Sequence, residues 1–319
     1  LLTRTAETAA TTAASAATEQ EEGWPWMKGI DAPIAVKAID PVVKEDARPA
    51  VVDLIDEKRE LIDEVRSSLK DHPLYNISKH DDLWILRFVL SHKKVKPAVK
   101  AAKYTLEFRQ KYKLDEQDIR DVDIASIKKP ENTDGKAKYY RCCEDDAFLF
   151  TIPDPQRGVV IFIRYAAVPQ HKLIKELTED EWLSPFMFIS EFTFQWVDYI
   201  TRTTGRLTKT VRFCDLVGHK IADNNREAIS RDGKAMGIME DCYPQMLQSL
   251  FVCNPPTWLE VTWAIFRPLL PKRVVQKVDI LSPKKNKKHK QRFYPHISED
   301  KLPQRFGGTR TEWPVQSRG

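Results

Sequence analysis

The chain has no long apolar run. Its longest purely apolar stretch, Val159-Val160-Ile161-Phe162-Ile163, falls far short of the ~20 residues that a membrane-spanning helix needs. It has five cysteines, an odd set without a Cys-x-x-Cys pair, which argues against a disulfide framework and a zinc site and points to a reducing compartment. GxGxxG, GxxxxGKS, GxxxxGKT, HExxH and GxSxG are all missing, so no nucleotide loop, zincin helix or nucleophile elbow is on offer. Two Asp-Gly-Lys-Ala tetrapeptides, at 134–137 and 232–235, lack the glycine spacing of a phosphate loop and read as turns. The histidines are scattered, and neither a metal site nor catalysis is expected from them. The chain opens on Leu1 without an apolar signal core and reads as a processed form or a fragment. The cytoplasm is the default setting, with a plastid or mitochondrial form as the alternative.

What is present suits a folded chain of two packed units: 319 residues, 42% hydrophobic and 30% charged, with eight Trp, nine Tyr and fourteen Phe. Net charge is only +5, so the placement of charge matters more than its sum.

Residues 1–49 begin rich in Ala and Thr, then carry four spaced prolines, and read as an extension without a core. Within them Trp24 and Trp26 form an aromatic island, either a docking point for a larger membrane assembly or a segment packed on its own domain. From Ala50, Ile55, Ile62 and Leu69 recur every seven residues, the stripe of an amphipathic helix. A second helix holds Leu83, Leu86 and Leu90, and a third is expected to start at Pro97. Residues 50–125 thus form a small helical unit.

Beyond 130–135 the texture changes to short apolar strands at 147–152, 158–165, 210–216, 248–253 and 275–281, with helical stretches between the later ones. Strands alternating with helices imply an α/β fold with a largely parallel sheet. The longest helix, about 181–201, places Phe186, Ile189, Thr193 and Trp196 on one face and Phe188 and Phe192 on another. That is more apolar surface than one sheet contact uses.

The segment 257–270 is apolar over most of its circumference. Leu259, Trp263, Phe266 and Leu270 lie on one helical face and Trp258, Val261, Ile265 and Leu269 on an adjacent one. Periodicity by itself favours a helix buried between two layers. After it come Lys284, Lys285, Lys287, Lys288, Lys290 and Arg292, six positive charges in nine residues without an acid. Basic residues beside an apolar helix suit an anionic membrane surface. No aromatic stands between these lysines to stack a base, so nucleic acid is not the expected partner.

The order of several motifs resembles the CRAL-TRIO lipid-binding family, over about residues 50–309. Leu86-Arg87-Phe88-Val89-Leu90 and Glu107-Phe108-Arg109 are similar to its first two helical motifs. Phe213-Cys214-Asp215-Leu216-Val217-Gly218 resembles its aspartate-leucine-x-glycine strand end, and Tyr243-Pro244-Gln245 its tyrosine-proline turn. Asn254-Pro255-Pro256 and Leu302-Pro303-Gln304-Arg305-Phe306-Gly307-Gly308 stand for the later two.

The resemblance implies an all-helical lid domain ahead of a lipid-binding domain at 135–309, with 310–319 as a tail. It implies a mixed, mostly parallel sheet with flanking helices enclosing one phospholipid or isoprenoid-like ligand, and no other cofactor. The 257–270 helix becomes the cavity gate, with one face toward the ligand and one toward the bilayer. Phe186, Phe188, Phe192 and Trp196 become a cavity wall. Carried over by position, Lys277, His92 and Lys93 fall where phosphatidylinositol-binding members hold the headgroup. Val274 and Gln245 replace the family's threonine and glutamate there, which weakens the match to phosphatidylinositol and leaves a different lipid, an isoprenoid or an empty cavity open. The function implied is non-catalytic lipid binding or transfer at membrane surfaces. A scaffold docked through residues 1–49 is the alternative.

Overall fold

The structure, a computed structural model, describes residues 23–27, 48–150, 154, 157–281 and 292–311. The lysines at 284, 285, 287, 288 and 290, most of the 1–49 extension and nearly all of the tail lie outside them.

The heptad stripe forms two helices, α1 (Val51–Glu57) and α2 (Arg59–Leu69), separated at Lys58. Ile55, Ile62, Val65 and Leu69 are all buried. α3 (Asp82–His92) is capped by the Asp81 carboxylate, which accepts from the Trp84 N–H at 3.1 Å. α4 (Val95–Lys111) begins two residues ahead of Pro97. The first turn of a helix needs no N–H donors from within, so proline is tolerated at its third position as well as its first.

Trp24 precedes the short turn Pro25–Met27 and Trp26 lies within it; they are 1% and 0% exposed. Both rings pack against Phe194, at 5.3 and 5.6 Å between centroids, with the Arg109 guanidinium over their faces. Trp26 Nε1 donates to Asp198 at 3.1 Å. Of the two expectations for this island, the packed segment is what the chain adopts, because burial of two indoles outweighs exposing them. They offer no docking surface.

Helices α5 (Ile124–Ile127) and α6 (Gly135–Cys142) lead into the sheet. Its strands are β1 (Phe148–Phe150), β2 (Val159–Arg164), β3 (Thr210–Asp215), β4 (Leu247–Cys253) and β5 (Val278–Ile280), in spatial order 1-2-3-4-5. β1 runs antiparallel to β2 and every other pair is parallel. The α/β fold with a mixed, mostly parallel sheet is as expected. The crossovers carry α7 (Gln170–Glu176), α8 (Glu179–Thr204) and α9 (Arg226–Cys242), then α10 (Leu259–Phe266) and α11 (Lys272–Val275). The last strand is shorter than its apolar run because α11 takes up Val274 and Val275.

Alternation along the strands gives the sheet two different faces. Val160, Phe162, Val211, Phe213 and Phe251 pack under Phe293, Ile297, Leu302 and Phe306 of the C-terminal segment. Ile163, Arg212, Cys214, Leu250 and Val252 point the other way, toward α8, α9 and α10. Neither Asp-Gly-Lys-Ala tetrapeptide is a free turn. Asp134 caps α6, accepting from the Ala137 N–H at 2.8 Å, and Asp232-Gly233 lies inside α9. Gly233 is there for close approach, since a Cβ on it would come within 1.9 Å of the Leu269 carbonyl oxygen.

Candidate functional site

A cavity of about 300 Å³ lies between the second sheet face and α8, α9 and α10. From α8 it is lined by Pro185, Phe186, Ile189, Ser190 and Thr193, one stripe of a 26-residue helix that starts on a Thr178–Glu181 capping box. α9 adds Ile229, Asp232, Met236, Met239 and Glu240.

α10 closes the remaining side. Leu259, Trp263, Phe266 and Leu270 line the cavity, and so does Trp258 from the position just before the helix. Val261 and Ile265 face outward, 75% and 64% exposed. Leu269 is half-buried, its carbonyl seated over Gly233. An eight-residue helix with apolar groups on opposite sides thus covers an apolar cavity and leaves a β-branched pair in solvent. Among the described residues no helix is long and apolar enough to cross a membrane.

The expected wall is only partly in place. Phe186 lines the cavity, but Phe188 turns toward Tyr140, at 6.0 Å, in the core that holds α6 against α8. Phe192 follows it at 6.2 Å. Trp196 lies past the cavity, its N–H on the Arg120 carbonyl at 3.2 Å. Phe188 and Phe192 fall between lining residues but on another face of α8, whereas Trp196 is lost to length, since α8 outruns the cavity and its C-terminal half packs on the helical lobe.

Lys277 lies ahead of β5 and pairs with Glu240 at 3.4 Å. His92 sits against Arg273 at 3.2 Å, and burial with that neighbouring cation holds its pKa below the usual imidazole value. Lys93 ends α3 in a left-handed conformation and is exposed. None of the three lines the cavity. Arg292, the one described member of the basic run, forms an ion pair with Asp279.

The polar groups that do reach the cavity include several that the sequence reading passed over. Arg212 rises from the middle of β3, and Glu240 and Asp232 face in from α9. Burial pushes the Asp232 carboxyl up to about 7, against a 2.9 Å hydrogen bond from Trp182 Nε1 that favours the anion. His219 stands between Tyr165 and Trp258, at 4.9 and 5.7 Å, and its Nε2 donates to Asn224 Oδ1 at 3.2 Å. Burial raises the Cys214 thiol to about 12, which leaves it protonated and a poor nucleophile. All five cysteines are free. No group of three His, Cys, Asp or Glu side chains is placed to hold a metal among the described residues. A charge in the centre of a strand otherwise apolar was the available signal for Arg212.

The motif residues turn out to be fasteners. The fully buried Asp215 carboxylate accepts from Asn254 at 2.8 Å and from Arg305 at 2.7 Å, joining three segments distant in sequence. Arg109 reaches Glu191 through two hydrogen bonds, at 2.9 and 3.1 Å, and Glu191 also accepts from the Tyr243 hydroxyl at 2.8 Å. Bidentate pairing of this kind is what keeps a buried guanidinium and carboxylate tolerable.

Among solved structures, the crystal structure of Sfh5 is similar at 11% identity and a TM-score of 0.44, covering 76% of this chain and 82% of that one. Residues 144–308, just over half of the chain, match the CRAL/TRIO domain, and with the sheet, the α10 cover and the Asp215 junction all inside that span, the protein belongs to the CRAL/TRIO domain family.

Proposed function

We propose that this protein is a non-catalytic carrier that holds one hydrophobic ligand behind a movable α10 and exchanges it at a membrane surface. The observation that carries the reading is α10 itself, whose Leu259, Trp263 and Phe266 close the cavity while Val261 and Ile265 stay in water. Outward apolar groups on a cover that seals an apolar cavity are costly in solution and useful at a bilayer.

The energetics suit transport. Each methylene moved from lipid into water costs ~0.8 kcal/mol, so a chain of about sixteen faces a barrier of over 12 kcal/mol and a two-chain lipid about twice that. An apolar cavity that opens only at the surface removes that step. Lys277, beside the end of α11, gives a charged edge for an anionic headgroup during entry, with Glu240 as its resting partner. The basic run 284–292 supplies the attraction to anionic membrane.

Native mass spectrometry of the full chain, followed by organic extraction, should return one hydrophobic ligand per protein. The paired variant Val261→Asp with Ile265→Asp should keep that ligand and lose at least tenfold in binding to anionic vesicles. An empty wild-type protein that also fails to take up lipid from vesicles, or unaltered vesicle binding by the variant, refutes the proposal.

A further inference from the structure

Arg212 occupies the centre of the sheet. Its partners in register are Ile161 on β2 and Leu250 on β4, and its strand is buried between two parallel neighbours. Such positions are ordinarily apolar on both faces. Alternation sends its side chain to the cavity face, where it is a lining residue.

The guanidinium there is uncompensated. Its Nε is buried and unbonded, and no described residue gives it a hydrogen bond or a carboxylate within 4.0 Å. The anionic group that acts on it most is Glu240, and that carboxylate is engaged by Lys277. The other carboxylate that lines the cavity, Asp232, accepts from Trp182 Nε1 and forms no ion pair with Arg212. The Tyr140 hydroxyl, which also interacts electrostatically with Arg212, is likewise buried without a partner. A buried donor left unmet calls for an explanation, and that of Arg212 belongs to a cavity-lining residue. Arg109 pairs with Glu191 and Asp115, and Arg202 with Asp81 and Asp198; Arg87 also keeps unbonded guanidinium nitrogens, but it bonds Thr201 at 3.3 Å and does not line the cavity, as Arg212 does. Burial drives the Arg212 pKa down, as expected for a cation whose counter-ion is elsewhere.

We infer that Arg212 is the receptor for the anionic head of a single-chain amphiphile, taken into the cavity head first with its tail running along α8 toward α10. A guanidinium presents a planar fork of donors that carboxylate and phosphate oxygens match in pairs, and in an apolar surround such bonds are at their strongest. The cavity's size points to one chain: about 300 Å³ is at the lower end of the ~300–1,000 Å³ range of small-molecule sites. The polar end is fixed by Arg212, while Phe186, Ile189, Trp263 and Phe266 offer only apolar surface to the remainder. This inference rests on the carrier reading and narrows its ligand.

The test uses the purified, delipidated full chain and three probes with one hydrocarbon tail: oleate, oleyl phosphate and oleyl alcohol, titrated calorimetrically at pH 8. Wild type should bind one or both anionic probes at least tenfold more tightly than the alcohol, and the order of oleate and oleyl phosphate tells carboxylate from phosphate. Arg212→Gln should abolish that preference with alcohol binding unchanged or tighter. Arg212→Lys should keep part of it. If Arg212→Gln does not fold, the wild-type ranking and the lysine variant decide. Equal binding of all three by wild type sinks the subsite and leaves the carrier standing. A preference that survives Arg212→Gln also sinks it. Binding of none of the three overturns the carrier reading and the subsite together.

Discussion

Gly233 and Gly237 lie one turn apart on α9 and make a controlled pair. A Cβ added to Gly233 falls 1.9 Å from the Leu269 carbonyl oxygen and 3.1 Å from its carbon, whereas one added to Gly237 meets nothing within 4 Å. Side-chain carbons essentially never come closer than 3.0 Å to such atoms, so Gly233→Ala must move the end of the α10 cover outward by at least about 1 Å. The obstructing atom is backbone, so no rotamer change relieves it. Overpacking of this kind costs about 1–3 kcal/mol, partly offset by the ~1 kcal/mol that alanine gains over glycine inside a helix. Gly237→Ala receives the gain alone. Chemical denaturation should place the first variant below wild type and the second above it. Hydrogen exchange should speed up over 259–275 in Gly233→Ala only, and release of a bound fluorescent fatty acid should accelerate in the same variant. If Gly233→Ala is as stable as Gly237→Ala and protects 259–275 as wild type does, then the cover does not rest on that glycine and the reasoning fails.

Asp232 gives a pH dependence of definite sign. Its carboxyl titrates at about 7 in the folded chain against 3.8 for the free side chain, so the folded state favours the proton; stability is full below about pH 4 and declines as pH rises to 7. The decline is at most about 4 kcal/mol, and Asp232→Asn should remove it, becoming more stable than wild type at pH 8 with no such advantage at pH 4; equal gains at both pH values would exclude the mechanism. Trp26→Ala removes a fully buried indole and its bond to Asp198, and should cost about 3–5 kcal/mol in urea denaturation. A loss under 1 kcal/mol would mean that residues 23–27 are not part of the helical core.

Sequence pattern gave access to the cover helix because its two faces obey one period: Leu259, Trp263, Phe266 and Leu270 fall inside, Val261 and Ile265 outside. Trp258 departs from its assigned face because it precedes the helix, where the 3.6-residue rule no longer applies. On α8 the pattern could identify apolar stripes but not their neighbours. Phe186 and Trp196 share a stripe, yet ten residues of helix separate them by ~15 Å, enough to carry one into the cavity and the other to the Arg120 carbonyl. The pairing of Lys277 with Glu240 spans two crossovers and is invisible to local spacing. Arg212 and Asp232 were visible as letters and not as a site, since only the strand register and the rotation of α9 bring them to one cavity.

The Asp215 junction sets a timetable for synthesis. Its carboxylate, fully buried at the end of β3, waits for Asn254, 39 residues later, and for Arg305, 90 residues later. At ~5–20 residues per second the ribosome needs about 5–20 s to deliver that last partner. During this interval the growing chain has β2 and β3 and then gains β4, but it lacks the arginine that pairs with Asp215 and the Phe306 ring that covers Phe162 and Phe213. The nascent sheet is therefore open on one whole face for many seconds, long on the scale of hydrophobic collapse, and a chain stalled before residue 305 presents the cell with a sticky, half-closed sheet and an acid that has nowhere to go.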